Sequence, residues 1–186
     1  MELNKAIKSR HSCRSFKEKK KPSWEDVVLA IDAANYAPLA GNISTLRYIV
    51  VEDEANIKKL ANACQQRFIQ DVRYLVVVCS DNSQIKKVYG ERADKYSKQQ
   101  AGAAIQNFLL EIENLGLASC WVGAFEDSEV RFILGISDDI EIEAILPIGY
   151  EMGSYKKRKL PNLDNYLFFD KWKMRFKGGK YDTEVE

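Results

Sequence analysis

The feature that most restricts the fold is one short apolar run. Residues 74–79 read Tyr-Leu-Val-Val-Val-Cys, with none of the polar alternation of a strand that keeps one face in water. Such a strand needs cover on both sides, so the chain has to lay further elements over each face of whatever sheet it joins.

The flanking segments supply that cover. Leu3, Ala6 and Ile7 give a short amphipathic first helix. Pro22-Ser23 opens a second, with Ser23 placed to cap it, Asp26 three residues on, and an apolar stripe of Trp24, Val27, Val28, Ile31 and Ala34. Residues 46–51 read as a strand, and 54–64 as a helix with Ile57, Leu60, Ala61 and Cys64 on one face. The longest element spans about residues 97–115, where Ala101, Ile105, Phe108, Leu109 and Ile112 form a wide stripe and Gly116 is suited to a left-handed stop. Its small residues Gly102, Ala103 and Ala104 leave two readings open, a core helix or a subunit contact. A short strand over 118–122, a helix capped by Ser128 and running to Leu134, and a strand over 142–148 interrupted by Pro147 complete the order. The expectation is an α+β domain, helices around a modest sheet.

At 186 residues the chain fits one domain of the usual ~100–200 residues. We read residues 1–186 as that domain, with 162–186 an aromatic C-terminal extension. Lys and Arg total 28 against 27 acidic residues, a net charge of +1, which argues against a nucleic-acid binder. The basic run over residues 17–21 reads as a solvated loop, with an address or anion patch the weaker alternative. No stretch approaches the ~18 apolar residues of a membrane span, and the polar N-terminus is unlike a signal peptide. Cys13, Cys64, Cys79 and Cys120 contain no Cys-x-x-Cys pair, and Cys64 and Cys79 fall on apolar stretches that suit buried, inert thiols. Reduced cysteines in a cytoplasmic protein are the expectation.

The chain's own side chains offer little chemistry. His11 is the sole histidine, so no histidine-based metal site is expected. A serine or cysteine triad would have to use His11, whose candidate nucleophiles are its neighbours in one extended stretch and point elsewhere. Neither a phosphate-binding Walker loop nor Gly-x-Gly-x-x-Gly occurs. The carboxylates lie mostly on polar helix faces. A borrowed cofactor, or no catalysis at all, follows.

One segment points to the cofactor. In extended chain, Arg10, Ser12 and Arg14 fall on one side, two guanidinium forks and a hydroxyl that match an anion such as phosphate; a surface loop with casual charge is the competing reading. Three weaker pieces follow it. They are Ala37-Pro38-Leu39-Ala40-Gly41-Asn42, the small and aromatic residues of 116–125, and Pro147-Ile148-Gly149-Tyr150 with the later basic cluster Lys156-Lys157-Arg158-Lys159.

In this order the four pieces resemble the nitroreductase family of FMN enzymes. That family opens on Arg-[Arg/His]-Ser-x-[Arg/Lys]-x-Phe, matched by Arg10, His11, Ser12, Arg14 and Phe16. It continues through Ala-Pro-Ser-x-x-Asn, Gly-Leu-Gly-x-x-Trp-x-Gly and Pro-x-Gly-Tyr to a late basic cluster. The resemblance covers about residues 1–166. Leu39 stands where the family usually has Ser, Ser44 where it often has Gln, and Ala118 in place of the second Gly.

The resemblance implies a central, mainly antiparallel sheet flanked by helices, in a domain-swapped homodimer with two FMN sites at its interface. By position, Arg10, His11 and Ser12 would bind the cofactor, the phosphate being shared with Arg158 and Lys156. Arg14 would lie by the pyrimidine edge. Pro38, Leu39, Ala40 and Asn42 would reach the partner's flavin, Gln66 would lie near the ring, and Cys120, Trp121, Val122 and Gly123 would pass along one ring face. The implied reaction is ping-pong, with NAD(P)H a transient hydride donor and a nitroaromatic, quinone or similar small molecule the acceptor. A non-catalytic flavin-binding or sensor module, a dehalogenase-type reaction and a non-flavin structural domain are the alternatives. Four aromatics over residues 166–172 suggest a tail that wraps onto the partner subunit.

Overall fold

The apolar run becomes the second strand of a four-stranded sheet. β2 (Tyr74–Asp81) is buried at every position up to Ser80, which is why its sequence shows no alternation. It lies between β1 (Leu46–Val51) and β4 (Ile140–Gly149), and β4 carries β3 (Ala118–Ser119) on its far side. All three pairings are antiparallel. This is the computed structural model of the chain, and it describes residues 1–155 and 159–174. By packing, the chain divides into one unit over Met1–Ser154 and another over Tyr155–Glu186.

In the first unit helices cover both sheet faces. Tyr74, Val76 and Val78 of β2 join Ala144, Leu146 and Ile148 of β4 under α2 (Trp24–Asn35) and α5 (Ala93–Asn114), where Val27, Ala30, Ile105 and Phe108 complete the layer. On the other face Leu75, Val77, Cys79 and Ile145 meet α3 (Glu54–Ala63), with Val130 of α6 (Asp127–Leu134). A register shift between Val78 and Cys79 lets Ile142 and Ile145 both serve that second core.

Local chemistry fixes the helix ends. At α2 the Asp26 amide donates to Ser23 Oγ at 3.1 Å and the Ser23 amide to Asp26 Oδ2 at 2.9 Å, the expected reciprocal cap. Gly116 ends the segment after α5 at φ 72°. Ser128 is a correction: it lies inside the first turn of α6, its hydroxyl donating to Glu126 Oε1, and Glu126 takes the cap position without a side-chain bond. A helix not anticipated from the sequence, α4 (Ser83–Tyr89), precedes α5, which itself starts earlier than its stripe suggested.

Two apolar stripes are only partly buried. In α1 (Leu3–Ser9) Ala6 packs inward while Leu3 is 66% and Ile7 52% exposed. Val28, Leu29 and Tyr36 of α2 and its end are exposed as well. The second unit contains a 3-10 turn at Leu163–Asn165 and a ring contact between Phe168 and Trp172, with centroids 4.9 Å apart. No helix among the described residues is long and apolar enough to cross a membrane.

Candidate functional site

After α1 the chain runs extended along the β3 and β4 ends and is stitched to both. The Cys13 amide donates to the Ser119 carbonyl at 2.9 Å, the Lys17 amide to Tyr150 at 2.8 Å, and the Met152 amide to Ser15 at 2.9 Å. Phe16 bridges Glu151 in antiparallel fashion. Cys13 and Phe16 turn inward and are buried, whereas Ser12 and Arg14 are exposed and Arg10 is half-buried. The period-two alternation of an extended chain thus separates anchors from presented groups.

Phe16 explains a distant glycine. A Cβ on Gly149 would come 2.8 Å from Phe16 Cδ1 and 3.3 Å from Val72 Cγ1, so the aromatic anchor requires a bare backbone at the end of β4. Phe68 packs against the same ring, centroids 6.2 Å apart.

The presented groups meet the segment after β3. Cys120 is buried, and burial pushes its thiol up; Arg14, a hydrogen bond with Ser12, and Arg10 each act in the opposite sense. Two guanidiniums and one hydroxyl therefore act on the Cys120 thiol at the end of β3. Burial also pushes up the thiol of Cys13, with the Glu151 carboxylate and Cys120 adding to the effect. The 10–14 segment and Cys120, distant in sequence, are thus brought within electrostatic reach of each other.

At Cys120 and Trp121 the pairing with β4 is interrupted. β3 ends at Ser119, pairing resumes at Val122 through two bonds with Ile145 of 3.1 and 2.9 Å, and Pro147 lies in β4 between these contacts. Lacking an N–H, Pro147 cannot continue the ladder there, and the strand runs through it where the sequence suggested an interruption. Val122 is buried and Trp121 is 40% exposed, so the loop alternates anchor and rim like the 10–16 segment. Gly123 is exposed, and the Glu126 amide then donates to Ala63 at the end of α3. Half-buried Gln66 follows that same helix end, its amide bonded to Ala61 at 3.1 Å.

The 38–42 loop is held differently. Ala40–Asn42 forms a 3-10 turn with Gly41 at φ 59° and Asn42 at φ 57°, and a Cβ on Gly41 would meet the Tyr89 hydroxyl at 2.5 Å. Its contacts run to α4 and α5. Pro38 and Asn42 are exposed, Leu39 and Ala40 half-buried. Lys156 and Arg158 lie outside the described residues.

His11 has partners that its neighbours' spacing did not reveal. Nδ1 lies 3.0 Å from the Ser9 carbonyl and Nε2 2.9 Å from Glu151 Oε1. Residue 151 is 140 positions away, and nothing local in the sequence marks it.

Residues 7–82 and 65–150 match the pattern of the Nitroreductase family. The chain is 32% identical over 154 residues to a protein of Archaeoglobus fulgidus named provisionally as an NADH dehydrogenase/NAD(P)H nitroreductase, covering 80% of this chain and 85% of that one. It is 28% identical over 159 residues to an iodotyrosine deiodinase of Thermotoga neapolitana, covering 77% and 85%. Its fold is that of an FMN-dependent nitroreductase from Clostridium difficile, with a TM-score of 0.75, 23% identity, and 90% and 98% of the two chains covered.

Proposed function

The chain belongs to the nitroreductase family, and we propose that it is an FMN-dependent NAD(P)H oxidoreductase that reduces flat acceptors such as nitroaromatics and quinones. The observation that carries this reading is the convergence of Arg10, Ser12 and Arg14 around Cys120 at the rim of the sheet. Two guanidiniums and a hydroxyl suit a phosphate and the electron-rich edge of a flavin, and the exposed sides of residues 12 and 14 leave them free of core packing. The residues present fit FMN.

Arg10 and Ser12 would hold the phosphate. Arg14 would lie by the ring edge of a bound flavin, where its guanidinium would stabilise negative charge. Residues 120–123 offer backbone along one ring face, with Val122 as the anchor that keeps Cys120, Trp121 and Gly123 in place. Gln66 approaches from the end of α3. When bound, FMN supplies a two-electron carrier that accepts hydride from NAD(P)H and delivers it to the acceptor in ping-pong order.

The site is shared between two copies of the chain. Exposed Leu3, Ile7, Val28, Leu29 and Tyr36 give α1 and α2 an apolar side suited to a second subunit. Pro38, Leu39, Ala40 and Asn42 then serve the partner's flavin, and the aromatic stretch over residues 166–172 contacts the partner. A reductive dehalogenase is the second reading, favoured by the likeness to the iodotyrosine deiodinase.

The test is the absorption spectrum of the purified protein, followed by anaerobic titration with NADH and NADPH. Flavin absorbance that bleaches with either donor and returns with a quinone is expected. A colourless protein that refuses added FMN overturns the proposal, and bound flavin that no donor bleaches leaves a binding module. Iodide release from an iodophenol by the reduced protein would favour the second reading.

A further inference from the structure

His11 is the only histidine in the chain and stands between two members of the anion clamp. Its ring bonds to partners outside that clamp. The Ser9 carbonyl lies 3.0 Å from Nδ1, and Glu151 Oε1 lies 2.9 Å from Nε2. A carbonyl oxygen can only accept, and so can an ionised carboxylate. Neutral imidazole has one N–H and satisfies one of them; imidazolium donates to both.

The two bonds join three parts of the fold. Ser9 is the last residue of α1, and Glu151 follows β4, where it also bridges Phe16. Arg10 lies between Ser9 and His11, so a ring fastened at both nitrogens fixes the backbone from which Arg10 and Ser12 are presented. Only 12% of the His11 side chain is exposed, a setting where a charged hydrogen bond is little weakened by water. Along the chain its charged and titratable neighbours are Lys8, Arg10, Cys13 and Arg14, and Glu151 after β4 meets its ring.

We propose that His11 is a positioning residue, an imidazolium latch between the end of α1 and Glu151 that aims the clamp, so that cofactor affinity falls as His11 loses its proton. The cofactor part rests on the FMN reading above. The direction follows from the donor count: the latch is complete below the His11 titration and loses one of its two bonds as pH rises through it.

A single histidine makes the test direct. In cofactor-free, ¹⁵N-labelled protein the ring nitrogens need no assignment. The wild-type ring should keep both protons to a higher pH than the ring in Glu151→Gln. FMN dissociation constants are then measured by flavin fluorescence from about pH 6 to 9 in wild type, His11→Gln and Glu151→Gln, with circular dichroism as the check on folding. The wild-type constant for FMN should weaken about tenfold across the His11 titration, the order expected for one charge-assisted bond. His11→Gln should lack that step and bind at the weaker level throughout. Ionisation of the phosphate itself is common to wild type and His11→Gln and cancels in their comparison. Loss of the second ring proton at the same pH in wild type and Glu151→Gln overturns the latch, and so does an FMN profile shared by wild type and His11→Gln. Failure of all three folded proteins to bind FMN refutes the flavin reading and the latch's role in affinity together, while the nitrogen spectra still judge the imidazolium bridge.

Discussion

The segment at residues 10–16 and the loop at 38–42 both follow a helix and both carry a family motif, yet they are held in different ways. The first is stitched by backbone bonds to the ends of β3 and β4 and anchored by buried Cys13 and Phe16. The second is a 3-10 turn whose contacts run to α4 and α5, with Pro38 and Asn42 exposed. The first is therefore ordered by contacts within one chain. The second leaves Pro38 and Asn42 exposed, and on the proposed reading a second copy seated on the exposed apolar side of α1 and α2 would face it.

The largest expected effect breaks the anchor of the first region. Phe16→Ala removes a fully buried ring and should cost about 3–5 kcal/mol, a fall in melting temperature on the order of 10 °C by calorimetry. Leu39→Ala should shift stability by no more than about 0.5 kcal/mol, because its side chain is only half-buried. Equal losses at the two sites would erase the contrast.

Next come the presented cations. Arg10→Ala should raise the FMN dissociation constant about 10- to 100-fold by removing charge-assisted bonds worth about 1.5–3 kcal/mol. Arg14→Ala should instead slow flavin reduction by NAD(P)H, seen by stopped flow on protein saturated with FMN. Mixed dimers sharpen the comparison. If the 38–42 loop serves the partner, co-refolding Arg10→Ala subunits with Leu39→Asp subunits restores one intact site per mixed dimer, and FMN binding recovers. Absence of recovery in confirmed mixed dimers would return the loop to its own chain.

The smallest effect concerns pH. Burial raises the thiols of Cys13 and Cys120 above their ordinary value, so the folded chain keeps protons that the unfolded chain gives up. Their contribution is complete below the ordinary thiol range and is lost as pH rises through the raised folded values. Stability should therefore fall on the alkaline side by at most about 1.4 kcal/mol per pH unit for each thiol. Denaturant melts of Cys13→Ala and Cys120→Ala against wild type should show shallower alkaline slopes. An unchanged slope would place both thiols in a wetter setting than their burial implies.

Much of this was legible in the sequence because it rests on local rules. The run at 74–79 fixed a strand buried on both faces, Ser23 and Asp26 a capped helix, and the alternation across residues 10–16 which side chains face out. Element edges were less legible: α4 lacks a long stripe, and Ser128 has the chemistry of a cap without its position. The stripes of α1 and α2 marked apolar faces correctly, but a stripe does not say whether its own chain or another one covers it.

What the sequence alone determined about this protein is therefore its elements, its sheet-and-helix class and the residue types gathered in the 10–16 clamp. Only the tertiary structure decided that Phe16 needs Gly149 bare, that Pro147 opens the ladder beside Cys120, and that His11 bonds to Glu151. The physical reason is range. Periodicity and capping act over a few residues along the chain, whereas the site is built from contacts between segments more than a hundred residues apart. Those contacts exist only once antiparallel pairing has brought the ends of β3 and β4 against the N-terminal segment.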